Sequence, residues 1–241
     1  MRALDIEKLR FRYEEMQMEF DLHVDPGEFL GVIGPSGAGK STLLSLIAGF
    51  ERADSGSIRI GGEDVAALPP AERPVTMLFQ DNNLFAHLTV EQNVALGMHP
   101  GLRLDNGQRE KVTAALEQVG LGGFAQRRPD QLSGGERQRT ALARSLVRNR
   151  PVLLLDEPFA ALGPALRREM LDLVNELRQA QGFTVLFVTH QPEDALHAVG
   201  RVAFIAEGRV AATGPARDLL LHPSSAALRA YLGPDWLADR G

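Results

Sequence analysis

Cysteine is absent from this sequence, which excludes a disulfide framework and any metal site built on thiolates. Such a composition is typical of a reducing compartment, and the cytoplasm is therefore the expected location. Long apolar runs are also missing: the longest has five residues, Val202 to Ala206, whereas a membrane-spanning helix needs about 20. We expect that this chain does not cross a bilayer.

An excess of positive charge is the third feature that the sequence lacks. The 26 Lys and Arg residues are outnumbered by 31 Asp and Glu residues, which gives a net charge of −5. Binding to a nucleic-acid backbone normally requires a clustered basic face, so no nucleic-acid partner is expected. The N-terminus carries Asp5 and Glu7 where a signal peptide would be apolar, and export by that route is not expected.

Three short apolar runs predict strands that are buried on both faces, as in a parallel sheet. They are Phe29 to Ile33, Val152 to Leu155 and Thr184 to Val188. A helix predicted from Pro164 to Gln181 joins the last two runs, and this β-α-β order is typical of α/β folds.

Two further regions complete the predicted architecture. Period-two alternation through Met16, Met18, Phe20, Leu22 and Val24 predicts an N-terminal antiparallel β region, and helical periodicity after Thr89 predicts an inserted α-helical subdomain. We expect one domain, 1–241. It would comprise a core of about 1–85 and 150–215, a helical subdomain of about 86–149 and a short helical tail of about 216–241.

A glycine-rich turn between the first buried strand and the next helix fits the phosphate-loop pattern G-x-x-x-x-G-K-[ST]. Glycines let successive backbone N–H groups face one anion, and the helix N-terminus adds partial positive charge. Lys40 would contact the β- and γ-phosphates, and the Ser41 hydroxyl could ligate Mg²⁺. The nucleotide-binding residues predicted here are Gly34, Pro35, Ser36, Gly37, Ala38, Gly39, Lys40, Ser41 and Thr42.

Two carboxylates follow the strand Val152 to Leu155, at the end where parallel sheets bind ligands. Asp156 would hold Mg²⁺, and Glu157 would accept a proton from the water that attacks the γ-phosphate. An acidic pair after a strand is more often a helix cap, and only the phosphate loop favours the catalytic interpretation.

A second candidate anion site lies at Leu132 to Gln138, where Ser133, Gly134 and Gly135 begin a helix. One nucleotide does not need two such sites. We therefore predict that this segment caps the γ-phosphate held by another copy of the chain, in a head-to-tail pair. A serine and two glycines at this position are otherwise most often a simple helix cap.

Together these motifs make the chain, from about residue 3 to 215, resemble the nucleotide-binding subunit of an ABC transporter, a P-loop NTPase. The resemblance implies that Ser133, Gly134, Gly135 and Gln138 contact ATP across a dimer. It also implies that Tyr13 stacks on adenine and that His190 contacts the γ-phosphate. Gln80 would touch Mg²⁺ and relay the state of the nucleotide site to the membrane partner. On their own, Tyr13 and His190 would be read as a surface residue and a strand-end histidine.

The chain departs from the family after Glu157. The usual Ser-Ala-Leu-Asp is replaced by Ala160-Ala161-Leu162-Gly163, so that Gly163 stands where an aspartate normally helps to join the two composite sites. Coupling within the dimer is therefore in question, whereas nucleotide binding through Lys40 and Ser41 is unaffected.

The spacing of the motifs narrows the type of ABC protein. Lys40 and Ser133 are only 93 positions apart, too close for the long coiled-coil insertion of DNA-repair ATPases, and a single set of motifs argues against the two-module translation factors. The segments Phe79 to Val90 and Gly97 to Leu102 are similar to the ATP-binding subunits of bacterial thiamine importers. The remaining alternative is a soluble ABC ATPase that acts on an assembly or nucleic acid. A P-loop kinase would lack Leu132 to Gln138.

This resemblance implies an ATP hydrolase that requires ATP and Mg²⁺ and works as a homodimer. Two transmembrane permease subunits and a periplasmic solute-binding protein would be its partners. It would lie on the cytoplasmic face of the bacterial inner membrane, held there through the permease.

Overall fold

The computed structural model describes residues 1–79 and 83–238. Its strands, in chain order, are β1 (Leu4–Tyr13), β2 (Met16–Val24), β3 (Phe29–Ile33), β4 (Ser55–Ile60), β5 (Glu63–Asp64), β6 (Val75–Leu78), β7 (Val152–Asp156), β8 (Thr184–Val188), β9 (Arg201–Ala206) and β10 (Arg209–Pro215). Its helices are α1 (Lys40–Ala48), α2 (Val90–Ala95), α3 (Asn106–Gln118), α4 (Gly134–Leu146), α5 (Pro164–Gln181), α6 (Pro192–Ala198), α7 (Ala216–Leu221), α8 (Ala226–Leu232) and α9 (Pro234–Ala238).

The strands form one mixed sheet in the order β5-β4-β1-β2-β10-β9-β3-β8-β7-β6. Strands β9, β3, β8, β7 and β6 are mutually parallel, so that their carboxyl ends lie along one edge. The β1–β2 and β1–β4 pairs are antiparallel, as the N-terminal alternation predicts. This arrangement brings the segments that follow β3, β7 and β8 together, and these segments carry the predicted site.

Hydrophobic side chains pack on both faces of the sheet. Within β3, Phe29 and Ile33 belong to the cluster that packs against the central helices, whereas Leu30 and Val32 belong to the cluster under α1 and the N-terminal strands. All five residues of β3 are buried. A strand that is apolar throughout therefore has a core on each side, as its sequence predicts.

The segment between β6 and β7 contains α2, α3 and α4, which pack against one another. Asn93 is completely buried in this region and is satisfied by local backbone: it accepts from Phe85 N at 2.8 Å, and its amide donates to the carbonyls of Phe85, Leu88 and Thr89. Gly97 permits a close approach to α4, because a Cβ there would lie 2.3 Å from the carbonyl oxygen of Arg144.

The predicted α5 boundaries, Pro164 and Gln181, are those of the structure. The sequence from Ser41 to Phe50 also predicts a helix, but α1 ends at Ala48 because Gly49 adopts a left-handed conformation with φ of 84°. Helix α4 begins at Gly134 with Ser133 as its N-cap, which agrees with the helix start predicted at these residues. Within the described ranges, no helix is both long and apolar enough to span a membrane.

Candidate functional site

The loop between β3 and α1 is shaped by positive backbone angles. Gly34, Gly37 and Gly39 have φ values of 152°, 76° and 102°. At Gly34 a side chain is also excluded by contact, since a Cβ would lie 2.1 Å from the carbonyl oxygen of Ile205 in β9. The loop can therefore wrap closely around a ligand with its own backbone.

The N-terminus of α1 leaves its backbone donors available. Gly39 is the N-cap and offers no side-chain acceptor, and the first turn contains no acidic residue. The usual capping groups are thus missing at an end that carries partial positive charge. This geometry suits a phosphate group.

Lys40 lies over the same loop, with 7% of its surface exposed. Its ammonium donates hydrogen bonds to the carbonyl oxygens of Gly34 and Pro35 at 2.9 and 2.8 Å. Burial lowers the pKa of Lys40, while the nearby carboxylates of Glu157 and Asp156 act in the opposite direction. Lys40 therefore places a positive charge at the centre of the loop.

Ser41 and Asp156 meet at the carboxyl end of β7. The Ser41 hydroxyl donates to Asp156 Oδ1 at 3.0 Å, and burial raises the pKa of Asp156. A hydroxyl and a carboxylate are oxygen donors that suit Mg²⁺, which usually takes its remaining ligands from water and substrate phosphates. No group of three or more His, Cys, Asp or Glu residues that could hold a metal occurs within the ranges described here.

Glu157 turns away from Asp156 because its backbone leaves the strand conformation. Its φ is 46°, and its N–H donates to the carbonyl of Val188 at 3.1 Å. The carboxylate Oε2 then lies 2.9 Å from Nδ1 of His190, which follows β8. The predicted base and the predicted γ-phosphate histidine are therefore in direct contact.

Lys40, Ser41, Glu157 and His190 line a cleft of about 540 Å³. Apolar side chains line the same cleft, including Tyr13, which is 56% exposed at the end of β1. This combination of side chains suits a ligand that has a flat base and an anionic tail. The lining residues are Tyr13, Met16, Met18, Ser36, Gly37, Gly39, Lys40, Ser41, Thr42, Glu157 and His190.

The segment Leu132 to Gln138 does not line this cleft. Ser133 accepts a hydrogen bond from Glu136 N at 3.3 Å, and its own N–H donates to Glu136 Oε2 at 2.7 Å, forming a capping box at the start of α4. Ser133 is exposed, and hydrogen bonds from its backbone and its side chain lower the pKa of the Glu136 carboxyl. Contact with a nucleotide in a second chain stays a prediction.

Two predicted residues of this segment are buried in the single chain. Gly135 packs on Leu166 of α5, where a Cβ would lie 2.9 Å from Leu166 Cδ2. Gln138 is 3% exposed, and its Oε1 has no hydrogen-bond partner among the described residues. Its predicted contact across the dimer is not shown here, and Gln80, the other predicted Mg²⁺ contact, lies outside the described residues.

Sequence reasoning assigned Met16 and Met18 only to a strand face, yet both also line the cleft. Met18 reaches the loop itself, because its Sδ lies 3.1 Å from the Cβ position of Gly39. The period-two alternation predicts that these two residues share a strand face, but it does not predict which loop that face will contact. Arg73 was also missed: it is buried and donates to the carbonyls of Leu46 and Ile47 at the end of α1.

Comparisons with known proteins agree with this geometry. Residues 18–160 match the family described as ABC transporter. The thiamine import ATP-binding protein ThiQ of Brucella suis is 60% identical over 225 residues, 93% of each chain, and that of Yersinia pseudotuberculosis is 54% identical over 230 residues, 95% of this chain and 97% of the relative.

Among solved structures, the ADP conformation of an ATP-binding cassette of an ABC transporter superimposes with a TM-score of 0.88 at 27% identity, over 97% of this chain and 99% of the other. A nucleotide-free ATP-binding cassette gives a TM-score of 0.85 at 25% identity, over 97% and 100%. The resemblance and the fold predicted from the motifs are thereby confirmed, and the chain belongs to the ABC transporter family.

Proposed function

We propose that this chain is the ATP-hydrolysing subunit that energises thiamine import through a separate transmembrane permease. The observation that carries the proposal is the joining of a phosphate loop, a hydroxyl–carboxylate pair and a Glu157–His190 contact in one cleft. The substrate rests on relatives of 50 to 60% identity that are named as thiamine import ATP-binding proteins.

Binding of ATP would place the base against Tyr13 and the phosphates along the loop. Lys40 would turn from the carbonyls of Gly34 and Pro35 toward the β- and γ-phosphates, and the free N–H groups of α1 would bind the same oxygens. Ser41 and Asp156 would hold Mg²⁺, which when bound supplies charge neutralisation to the phosphates.

Hydrolysis would begin at Glu157. Its carboxylate would accept a proton from the water that attacks the γ-phosphate, a role that contributes about 10²–10⁴ in rate. His190 would orient that carboxylate through its 2.9 Å contact and contact the γ-phosphate at the same end of the cleft. Glu157 and His190 follow the paired strands β7 and β8, and this pairing would hold the two side chains next to each other.

A homodimer would complete the site. The loop at Ser133 does not line the cleft of its own chain, is exposed and begins a helix, so it has the chemistry to cap a phosphate in a second chain. Two composite sites would then close when ATP binds and open when it is hydrolysed.

A groove of about 350 Å³ near Phe50 and Phe79 supports a permease partner. These two aromatic rings lie 5.8 Å apart and are 54% and 39% exposed. Leu96 and Arg148 line the same groove, which joins the α1 side of the sheet to the helices of the middle segment. A helix of a transmembrane subunit would fit here and sense movement between the two regions.

The chain would thus lie on the cytoplasmic face of the bacterial inner membrane, bound to two permease subunits. A periplasmic solute-binding protein would deliver the vitamin to those subunits. The chain itself would not contact thiamine.

The deciding experiment measures ATPase activity in membranes that contain this subunit, its co-encoded permease and its binding protein, with and without thiamine. We expect thiamine-loaded binding protein to stimulate hydrolysis and the subunit to co-purify with the permease. Activity that thiamine leaves unchanged would remove the vitamin from the proposal. Failure to associate with any integral membrane protein would favour a soluble ABC ATPase.

A further inference from the structure

The C-terminal tail reaches the catalytic edge of the sheet through Tyr231 of α8. Its ring packs on Phe204 of β9 with centroids 5.6 Å apart. Strand β9 neighbours β3, and β3 neighbours β8, so this position covers the ends of three adjacent parallel strands. Those ends carry Gly34, the first residue of the phosphate loop, and His190.

The phenolic hydroxyl contacts the second of these segments directly. It donates to the carbonyl oxygen of His190 at 3.4 Å. Gly34, the first residue of the phosphate loop, lies beside the same hydroxyl. Tyr231 therefore ties the backbone of the catalytic histidine to the C-terminal tail, next to the start of the phosphate loop.

The hydroxyl keeps its proton under all ordinary conditions. Burial raises the pKa of Tyr231 to about 12, and the carboxylates of Glu157 and Glu193 add to this rise. It therefore remains a hydrogen-bond donor to the His190 carbonyl over the whole pH range in which the enzyme would work.

The tail does not depend on this hydroxyl for its own folding. Leu228 and Leu232 of α8 are buried in the core, and the indole N–H of Trp236 donates to the carbonyl of Leu220 at 2.7 Å. The hydroxyl is thus an addition to an already anchored helix, and its removal should leave the tail in place.

The orientation of the His190 peptide group determines whether the imidazole contacts Glu157. Only Thr189 to Gln191 separate β8 from α6, and His190 within that segment places Nδ1 2.9 Å from Glu157 Oε2. Rotation of the His190 peptide would carry the imidazole away from the carboxylate. Fixing its carbonyl restrains that rotation.

We propose that Tyr231 is a positioning residue for hydrolysis, which restrains the backbone of His190 through the hydrogen bond to its carbonyl oxygen. This inference rests on the proposed role of His190. It assigns a function in turnover to the C-terminal tail, which contributes no atom to the cleft lining described above.

The test compares Tyr231→Phe with the wild-type full-length subunit in steady-state ATPase assays. The ring and its packing on Phe204 are retained, and only the hydroxyl is lost. We expect kcat to fall by about threefold to tenfold, the effect of a single hydrogen bond, while KM for ATP changes by less than about twofold.

Trp236→Phe is the matched control, because it removes a different hydrogen bond from the same tail. We expect this variant to lower Tm at least as much as Tyr231→Phe and to keep the wild-type kcat. If both variants lower kcat in proportion to Tm, the hydroxyl acts only through tail stability and the proposal is overturned.

A double-mutant cycle separates this inference from the function on which it rests. Tyr231→Phe should reduce the single-turnover rate of the wild-type chain but have no further effect in a His190→Ala background. A normal rate in Tyr231→Phe, together with a slow His190→Ala, would overturn the positioning role alone. Wild-type hydrolysis in His190→Ala would overturn the role of His190 and, with it, the positioning role.

Discussion

Gly34 shows at the scale of one residue why the phosphate loop has its sequence. The motif asks for glycine because the loop needs positive φ, but the structure adds a second reason in the carbonyl of Ile205 from the neighbouring strand. Gly37, in contrast, has a positive φ with open space around its Cβ position. A side chain at Gly37 would therefore meet only backbone strain, whereas a side chain at Gly34 would also overlap the carbonyl of Ile205.

We expect Gly34→Ala to lower the free energy of unfolding by about 2–4 kcal/mol, since the added methyl would force β3 and β9 apart. Gly37→Ala should cost about 1 kcal/mol, because only the left-handed conformation is strained. Urea unfolding of both variants without nucleotide measures the difference. Equal losses would mean that the strands relax around the methyl group without cost.

Glu157 is the proposed base for hydrolysis. Glu157→Gln keeps the size and polarity of the side chain but cannot accept a proton, so turnover should fall at least about a hundredfold while ATP binding is retained. Paired assays of ATP binding and phosphate release test this expectation.

Glu193→Gln provides the control for that variant. Glu193 is an exposed acid three positions after His190, outside the cleft lining, and its amide variant should hydrolyse ATP at close to the wild-type rate. Near-normal turnover in Glu157→Gln would remove Glu157 from the base role.

At the scale of one element, the departure from the family at Gly163 has a clear place in the fold. Gly163 is the N-cap of α5, has φ of −64° and ψ of 158°, and makes no side-chain cap because it has none. In the part of the chain that the structure describes, nothing lies within 4 Å of its Cβ position. An aspartate would therefore fit, and the fold does not impose the glycine.

We expect Gly163→Asp to raise the free energy of unfolding by about 0.5 kcal/mol, because the carboxylate would accept a backbone N–H and lie at the positive end of an 18-residue helix. Gly200→Asp is the control, since Gly200 has equally open surroundings but is not an N-cap. Thermal unfolding of both variants measures the gain. A similar gain in Gly200→Asp would show that added surface charge, and not helix capping, raises the free energy of unfolding.

At the scale of the whole molecule, the Ser133 loop does not line the cleft of its own chain, and in the proposed mechanism a second chain brings this loop to the nucleotide. One chain would bind a nucleotide and leave it open toward solvent, and a second chain would close it. Because Ser133 is exposed at the start of α4, a large side chain there would block close approach without entering the cleft of its own chain.

We predict that Glu157→Gln elutes as a dimer with ATP and Mg²⁺ in size-exclusion chromatography and as a monomer without them. Adding Ser133→Arg should prevent dimer formation while the monomer still binds nucleotide. Asp105→Arg is the matched control, because Asp105 also caps a helix with a capping box, and it should leave the dimer intact. Loss of the dimer in both would show that helix capping, not contact across the dimer, is responsible.

Local patterns were enough to predict the parallel strands, α5 and the phosphate loop, because each depends on periodicity or on backbone angles that only certain residues adopt. They also predicted that Asp156 and Glu157 stand at the end of a strand. The motifs identified the family for the same reason, since their chemistry is carried by short contiguous segments.

Only the tertiary structure decided which of these segments meet. The 2.9 Å contact of Glu157 with His190 depends on the pairing of β7 with β8, and the approach of Met18 to Gly39 depends on how β2 packs under the loop. The Tyr231 contact joins residues 41 positions apart through a helix whose sequence carries no catalytic motif. Sequence alone determined the chemistry that each segment can offer, and the order of strands in the sheet determined which segments act together, because long-range contacts leave no periodic signal in the chain.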